Sequence, residues 1–371
     1  MTSTPSAAVG PHRFVLAASR LWAWGFLGLM VAFFVIAVPL VGGISFVSIR
    51  NSQNILVAIT PVLLLGLGQT FVIISAGIDL SVGWVMSLAS VFAAHAIRAT
   101  FNAGIPLPIA VTAGFFAAVA VAALVGFVNG VIIAKLKVPA FIVTLGTSFI
   151  VRGLGLLFSE NTTVIGLPPG IRDYGNESLF YLVGGDKGGF YFLRKPELTG
   201  DALRQLDRIL PWPVVITAIV VAIAIFVLKR TQFGRHTYAI GGNMQAALRT
   251  GIPVDRHIIK LYMLSASTAG IAGFLSTLRF TAGSAVIGDP LLLSSIAAVI
   301  IGGVSLFGGA GSIVGTLIGS LIIAVLTTGL VMLNVPAFWQ FIVVGVVVIV
   351  AVLIDQSRDL IIGRSRFGRG Q

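Results

Sequence analysis

Few residues in this chain of 371 are placed to do chemistry. The four histidines, at 12, 95, 236 and 257, are scattered over span ends and loops, so no metal-ligand spacing arises and no metal site is expected. There is no cysteine, which removes thiol chemistry, disulfides and cysteine metal sites. No G-x-x-x-x-G-K-[ST] occurs, so the chain has no phosphate cradle of its own for ATP, and no catalytic residue or resident cofactor is expected. What remains is a handful of polar groups in or beside apolar runs. Asp79, in GIDLSVG (77–83), reads either as a turn or N-cap residue ahead of Ser81 or as a gate on a pathway. With Asp289, before Pro290, it is the nearest approach to the membrane-depth carboxylate that an ion-driven carrier needs. Arg279, beside Phe280, reads as a snorkelling interfacial cation or as a contact for a docked partner or a solute. Gln69 and Asn129 interrupt apolar runs; each fits an interhelical hydrogen bond and also suits a hydroxylated solute.

A different kind of signal runs from Lys229 to Lys260. This polar stretch between two apolar runs carries six basic residues, Lys229, Arg230, Arg235, Arg249, Arg256 and Lys260, against one acid, Asp255. Inside it, NMQAALRTGI has the chemistry of a short helix. Asn243 is placed to cap its start, Gln245, Ala246, Ala247 and Leu248 favour helix, and Gly251 is placed to stop it. A short helix in a basic loop belongs at the cytoplasmic surface, where another protein can press on it.

The elements that must hold these groups are membrane spans. The hydrophobic fraction is 57% and the charged fraction 10%, well under the roughly 25% of soluble domains. Apolar runs long enough to cross a bilayer follow one another, so the expected fold class is an all-α polytopic membrane protein. Ten spans are expected, near residues 21–41, 55–77, 81–98, 107–134, 141–158, 212–228, 259–281, 291–307, 312–333 and 337–355, with room for a re-entrant piece at 77–83 or 302–311. The first reads as a retained span, because no small-residue cleavage pattern ends it. Residues 159–211 hold seven of the twelve acids and are too long for a connector, which points to a small ordered cap. With residues 1–20 inside, the positive-inside rule also puts Lys135 and Lys137, the 229–260 loop and the 357–371 tail in the cytoplasm, and 159–211 outside, around a 21–356 membrane domain. The net charge of +12 is accounted for in this way, without nucleic acid.

Glycine, 44 residues in all, is dense inside the spans. In GGVSLFGGAGSIVGTLIGS (302–320), Gly311, Gly315 and Gly319 recur every fourth residue; one reading is tight packing within the chain, the other a dimer seam. A short internal echo pairs VIISAGIDL (72–80) with VIIGGVSL (299–306).

Four ordered motifs carry a family resemblance over most of residues 50–356. They are LGQTFVIISAGIDLSVG within 65–83, KVPAFIVTLGTSFIVRGL (137–154), FGRHTYAIGGNMQAALRTGI (233–252) and SSIAAVIIGGVSLFGGAGSIVGTLIG (294–319). The chain resembles the permease subunits of bacterial ABC sugar importers, in the ribose, xylose, arabinose and galactose branch. The resemblance implies an inner-membrane permease with two permease copies or paralogues, an ATPase subunit that uses the ATP, and an extracytoplasmic sugar-binding protein. It implies that Asn243, Ala246, Ala247, Gly251 and Ile252 form an ATPase-coupling motif. The chain departs from the family at Met244 and Gln245, where two acids are usual, and at Ser294 and Ser295, where an acid often stands; 159–211 also exceeds the usual length. For a sugar cargo, Gln69, Asn129 and Phe280 are the residues expected nearest the path, since hydroxyls need polar partners and C–H faces stack on rings. Asp79 remains a candidate gate. The alternatives are an ABC permease for a nucleoside or autoinducer-like sugar derivative, and a secondary sugar carrier working alone.

Overall fold

The computed structural model describes residues 11–43, 45–184, 189–193, 195–196, 206–347, 349–350 and 353, with side chains from residue 23 onward. Its helices are α1 (Pro11–Gly42), α2 (Ile49–Ile74), α3 (Val82–Asn102), α4 (Leu107–Lys135), α5 (Ala140–Phe158), α6 (Ile171–Asn176), α7 (Trp212–Arg230), α8 (Gln232–Gly242), α9 (Met244–Arg249), α10 (Val254–Phe280), α11 (Asp289–Ile301) and α12 (Ile313–Met332). A further apolar helix, α13, covers Ala337–Val347. Three short strands, β1 (Ser178–Val183), β2 (Gly189–Phe192) and β3 (Leu206–Pro211), form the one described sheet, antiparallel, in the order β2-β1-β3.

Eight described helices are long and apolar enough to cross a membrane, and they sort into two layers. The α2 span is 83% buried by the protein and α3, α10 and α12 are also mostly buried, whereas α4, α5 and α7 bury only 28%. The first group forms the interior and the second presents its apolar surface outward, where lipid solvates it. Because lipid is as apolar as leucine, close approach of small residues does much of the holding. On the α4–α10 seam, Gly126 and Gly130 lie against the backbone of Tyr262 and Ile259, and Gly270 lies against Ala122. Gly68 brings α2 onto Ser265 of α10 in the same way.

The expected eighth span, 291–307, is not one helix. Residues 281–288 run back along α3 without helical structure: the Ser284 amide donates to Ser90 Oγ at 3.2 Å and the Gly288 amide to Ser87 Oγ at 2.9 Å. Gly288 and Gly83 then meet backbone to backbone. The helix α11 starts only there, and its 13 residues reach about 20 Å, short of a bilayer core. Irregular chain at this depth is tolerated because α3 satisfies its amides. Residues 302–312 then turn the chain into α12.

The described residues of the 159–211 segment carry α6 and the sheet. The Tyr181 side chain is fully buried beneath it, its hydroxyl accepting from the Ser178 amide at 2.9 Å, while Phe180 stacks on Phe190 and Phe192 at 5.3 Å on the other face. Asp186, Glu197 and Asp201 lie outside the described residues.

Candidate functional site

Helix α2 ends at Ile74 because the next residues adopt a left-handed cap. Ala76 has φ +63°, the Ala76 amide donates to the Ile73 carbonyl and the Gly77 amide to the Val72 carbonyl. These are the paired bonds of a Schellman cap. Helix α11 ends identically, with Gly303 at φ +79° and amides from Gly303 to Ile300 and Val304 to Val299. The first six positions of the echo, 72–77 and 299–304, are therefore a repeated helix stop.

The stop lets residues 75–81 fold back inside the bundle, which buries Asp79 completely. Its position is interior, not at a span edge. Asp79 Oδ1 accepts from the Ser81 amide at 3.0 Å and the Ser81 hydroxyl at 2.6 Å, and Oδ2 accepts from the Ser265 hydroxyl at 2.9 Å. The network then spreads across four helices. Asn129 Nδ2 of α4 donates to Ser81 Oγ at 3.0 Å, and the Thr147 hydroxyl of α5 donates to Asn129 Oδ1 at 2.6 Å. From α2, Gln69 Nε2 donates to the Asp79 carbonyl at 2.5 Å, while Gln69 Oε1 has no partner. Among the described residues no cation pairs with Asp79. At 1.5 Å per residue the cluster lies about 9–16 Å from the ends of α4, α5 and α10 that carry Lys135, Lys137 and Asp255.

Three of the sequence candidates, Gln69, Asp79 and Asn129, thus come together, and Asp79 holds the turn before α3 as the first of its two readings has it, while also accepting from Ser265 of α10. Phe280 does not join them. It ends α10, 58% exposed, fifteen residues beyond Ser265, with the Arg279 guanidinium 5.5 Å from its ring. Sequence reading missed Ser81, Thr147 and Ser265, because small hydroxyl residues in apolar runs carry no distinctive pattern.

The second part of the site is the α8–α9 pair. Asn243 caps α9 as expected, Oδ1 accepting from the Ala246 amide at 2.9 Å. Gly251, at φ +80°, ends it, with amide bonds from Gly251 to Leu248 and from Ile252 to Ala247. Ala247 and Ile252 turn inward onto Ile240 and Val254, whereas Met244, Ala246 and Leu248 are exposed. The six-residue helix is thus pinned on one side, and its free side mixes apolar Met244, Ala246 and Leu248 with polar Gln245 and Arg249. Lys137 reaches Asp255 at 2.7 Å and Lys135 reaches it at 3.8 Å, so the two basic loops share one end of the bundle.

The pair is joined to the interior through glycine. A Cβ on Gly241 of α8 would fall on the Ile74 carbonyl and 2.7 Å from the Gly309 nitrogen, and Gly308 is as close to Ala76 and the Gly241 carbonyl. The Gly309 amide donates to the Ile74 carbonyl at 2.8 Å, and the Tyr238 hydroxyl donates to the Gly311 carbonyl at 2.8 Å. Three backbones, from α8, the α2–α3 turn and the α11–α12 turn, therefore meet at one point. The helix α8 was not anticipated; its adjacent glycines, Gly241 and Gly242, were the available signal.

The glycines read as a dimer seam are used within the chain. A Cβ on Gly315 would fall on the Gly302 carbonyl, and one on Gly319 would fall on the Ala298 carbonyl, both of the α11 side. Gly311 precedes α12, at φ +150° against Val304. Their spacing serves the α11–α12 crossing.

Compared with known proteins, residues 51–352 match the family described as branched-chain amino acid transport system, permease component. The chain is 36% identical to the xylose transport system permease protein of Haemophilus influenzae, over 84% of this chain and 90% of that one. It is 35% identical to the fructose import permease protein of Rhizobium meliloti, over 86% and 82%. It is 36% identical to the ribose import permease protein of Escherichia coli K12, over 85% and 88%. No solved structure matches it.

Proposed function

The chain belongs to the permease-component family of branched-chain amino acid transport systems, and from that premise we propose that it is the membrane subunit of an ATP-driven importer for a monosaccharide or related polyol. The observation that carries the cargo is the relatives: permeases named for xylose, fructose and ribose align along more than four-fifths of the chain. The family description names amino acids, whereas each of these three relatives is named for a sugar.

The partners follow from this reading: an ATPase subunit seated on α9, an extracytoplasmic sugar-binding protein on the side of residues 159–211, and a second permease. Both termini and the 229–260 loop are cytoplasmic, in a bacterial inner membrane. ATP closure of the ATPases displaces α9. The junction at Gly241 passes that displacement to the α2–α3 and α11–α12 turns, and the polar cluster repacks as the path changes sides. The chain itself supplies no chemistry; ATP is consumed by the partner. Affinity purification from the native membrane followed by mass spectrometry tests the assembly. An ATP-binding-cassette subunit should copurify stoichiometrically, and a chain that purifies alone, active in sugar uptake, overturns the proposal.

A further inference from the structure

We propose that a cavity between α2, α7, α10 and α11 is a transient sugar-binding site, in which Arg279 donates to cargo hydroxyls and Phe280 packs on a C–H face. The inference rests on the sugar reading above. The cavity holds about 230 Å³ and lies at the opposite end of α10 from the α8–α9 pair. That is below the roughly 300–1,000 Å³ of drug-sized sites and suits a single sugar ring. Leu64, Leu275 and Leu291 give it apolar walls, and Thr60 and Ser276 add hydroxyls.

Arg279 makes the cavity more than a packing defect. Its side chain is half-buried, yet among the described residues it meets no carboxylate, and only the Phe280 ring at 5.5 Å is recorded beside its guanidinium. A guanidinium has five donors, and withdrawing them from water without acceptors is unfavourable unless a guest brings oxygen atoms. The backbone beneath it is fixed. Asn176 Nδ2 donates to the Arg279 carbonyl at 3.0 Å, and Gly175 lies flat against the Leu278–Arg279 peptide. The backbone of Arg279 is therefore held against α6 of the 159–211 segment, while its side chain lines the cavity.

Phe280 also lines a second cavity, of about 450 Å³, walled by residues 165–172 of the same segment. Phe280 is thus common to the lining of both cavities. A lipid phosphate would also satisfy Arg279, but the Thr60 and Ser276 hydroxyls and the Phe280 ring in the same lining fit a hydroxylated solute.

The test uses the complete assembly of permease, ATPase and binding protein in proteoliposomes, with radiolabelled D-ribose, D-xylose and D-fructose as probes. Arg279→Ala should lower uptake about tenfold or more, the scale of a lost hydrogen bond to a charged group, and Phe280→Ala should lower it through the lost ring contact. Arg279→Lys should restore part of it, and labelled binding protein should dock on the variants as tightly as on the wild type. Where the alanine variants fail to assemble, Arg279→Lys and Phe280→Leu carry the comparison and should lower uptake to a smaller extent. Uptake equal to wild type in all variants overturns the site. Loss of docking in parallel with uptake makes Arg279 a contact for the binding protein and overturns it too. So does an anionic-phospholipid requirement that Arg279→Ala abolishes, which would assign the cation to a lipid headgroup. A wild-type assembly that carries none of the three sugars brings down the sugar reading itself, an outcome distinct from variants that match an active wild type.

Discussion

Asp79 draws donors from two residues, and the amides and hydroxyls around it tie α2, α4, α5 and α10 to the turn before α3. Replacing it by alanine strands the Ser81 amide and the hydroxyls of Ser81 and Ser265. Each interhelical hydrogen bond in a membrane is worth about 0.6 kcal/mol on average, and a stranded buried donor costs about 1–3 kcal/mol. Asp79→Ala should therefore lower the unfolding temperature of the purified assembly clearly, whereas Asp79→Asn, which keeps one carbonyl acceptor, should lower it less. Equal destabilisation by the two would mean that the charge matters and the acceptors do not. The neighbouring test is Gly241→Val. The added Cβ would fall on the Ile74 carbonyl, so the three-backbone junction has to open. Sugar-stimulated ATP hydrolysis should fall at least tenfold with α9 still exposed to ATPase binding; wild-type stimulation would remove the junction from the coupling route. At this scale the sequence was only half legible. Gln69, Asp79 and Asn129 stood out because amides and acids are rare in apolar runs, but their meeting depended on a chain reversal at Ala76 that no residue type announces, since alanine seldom adopts positive φ. Phe280, grouped with them on chemistry alone, lies at the other end of the helix.

Helix α9 is the element most completely written in the sequence. The Asn243 cap, the helix-forming run and the Gly251 stop all appear where their chemistry places them, because caps act within four residues and need no tertiary partner. Its free face has Met244, Ala246 and Leu248 exposed, and on the proposed function this is the surface that would meet the ATPase. Leu248→Glu or Ala246→Glu should leave membrane insertion and expression intact while abolishing ATPase copurification or sugar uptake. A variant that retains both at the wild-type level places the contact elsewhere. The α11 region was less legible. Its apolar run continues through Val304 and Leu306, so hydropathy extends a span where the Gly302–Gly303 stop ends the helix after 13 residues. Periodicity cannot see a non-helical return such as 281–288, which is held by Ser87 and Ser90 of α3 and by the paired bonds between Gly283 and Val164. The glycine spacing at 315 and 319 gave a packed face correctly but left its partner open, and α11 of the same chain occupies it.

For the whole molecule, hydropathy located eight of the ten expected spans to within a few residues, because a run of about 20 consecutive apolar residues is the length that a bilayer core demands; the expected eighth is the 13-residue α11, and the expected tenth, 337–355, runs beyond the described residues. Charge distribution predicts the sidedness. The ion pairs of Lys135 and Lys137 with Asp255 show that two of the basic loops do share one end of the bundle. If that end is cytoplasmic, an impermeant reagent should label a cysteine placed at Phe190 of β2 in spheroplasts, and one placed at Gln245 only in inverted vesicles, a clean comparison on a cysteine-free background. Labelling in the reverse order would invert the topology and with it the placement of both partners.

The central claim is that this bundle moves sugar only when an attached ATPase drives it. The direct measurement is uptake of labelled ribose, xylose and fructose into proteoliposomes, with the chain alone or with its ATPase and binding protein, under ATP or under imposed proton and sodium gradients. Uptake of one of these sugars that requires ATP, the ATPase and the binding protein together is the expected result. Gradient-driven uptake by the chain alone would contradict the account, because that chain would be a carrier with its own source of energy and its own recognition site.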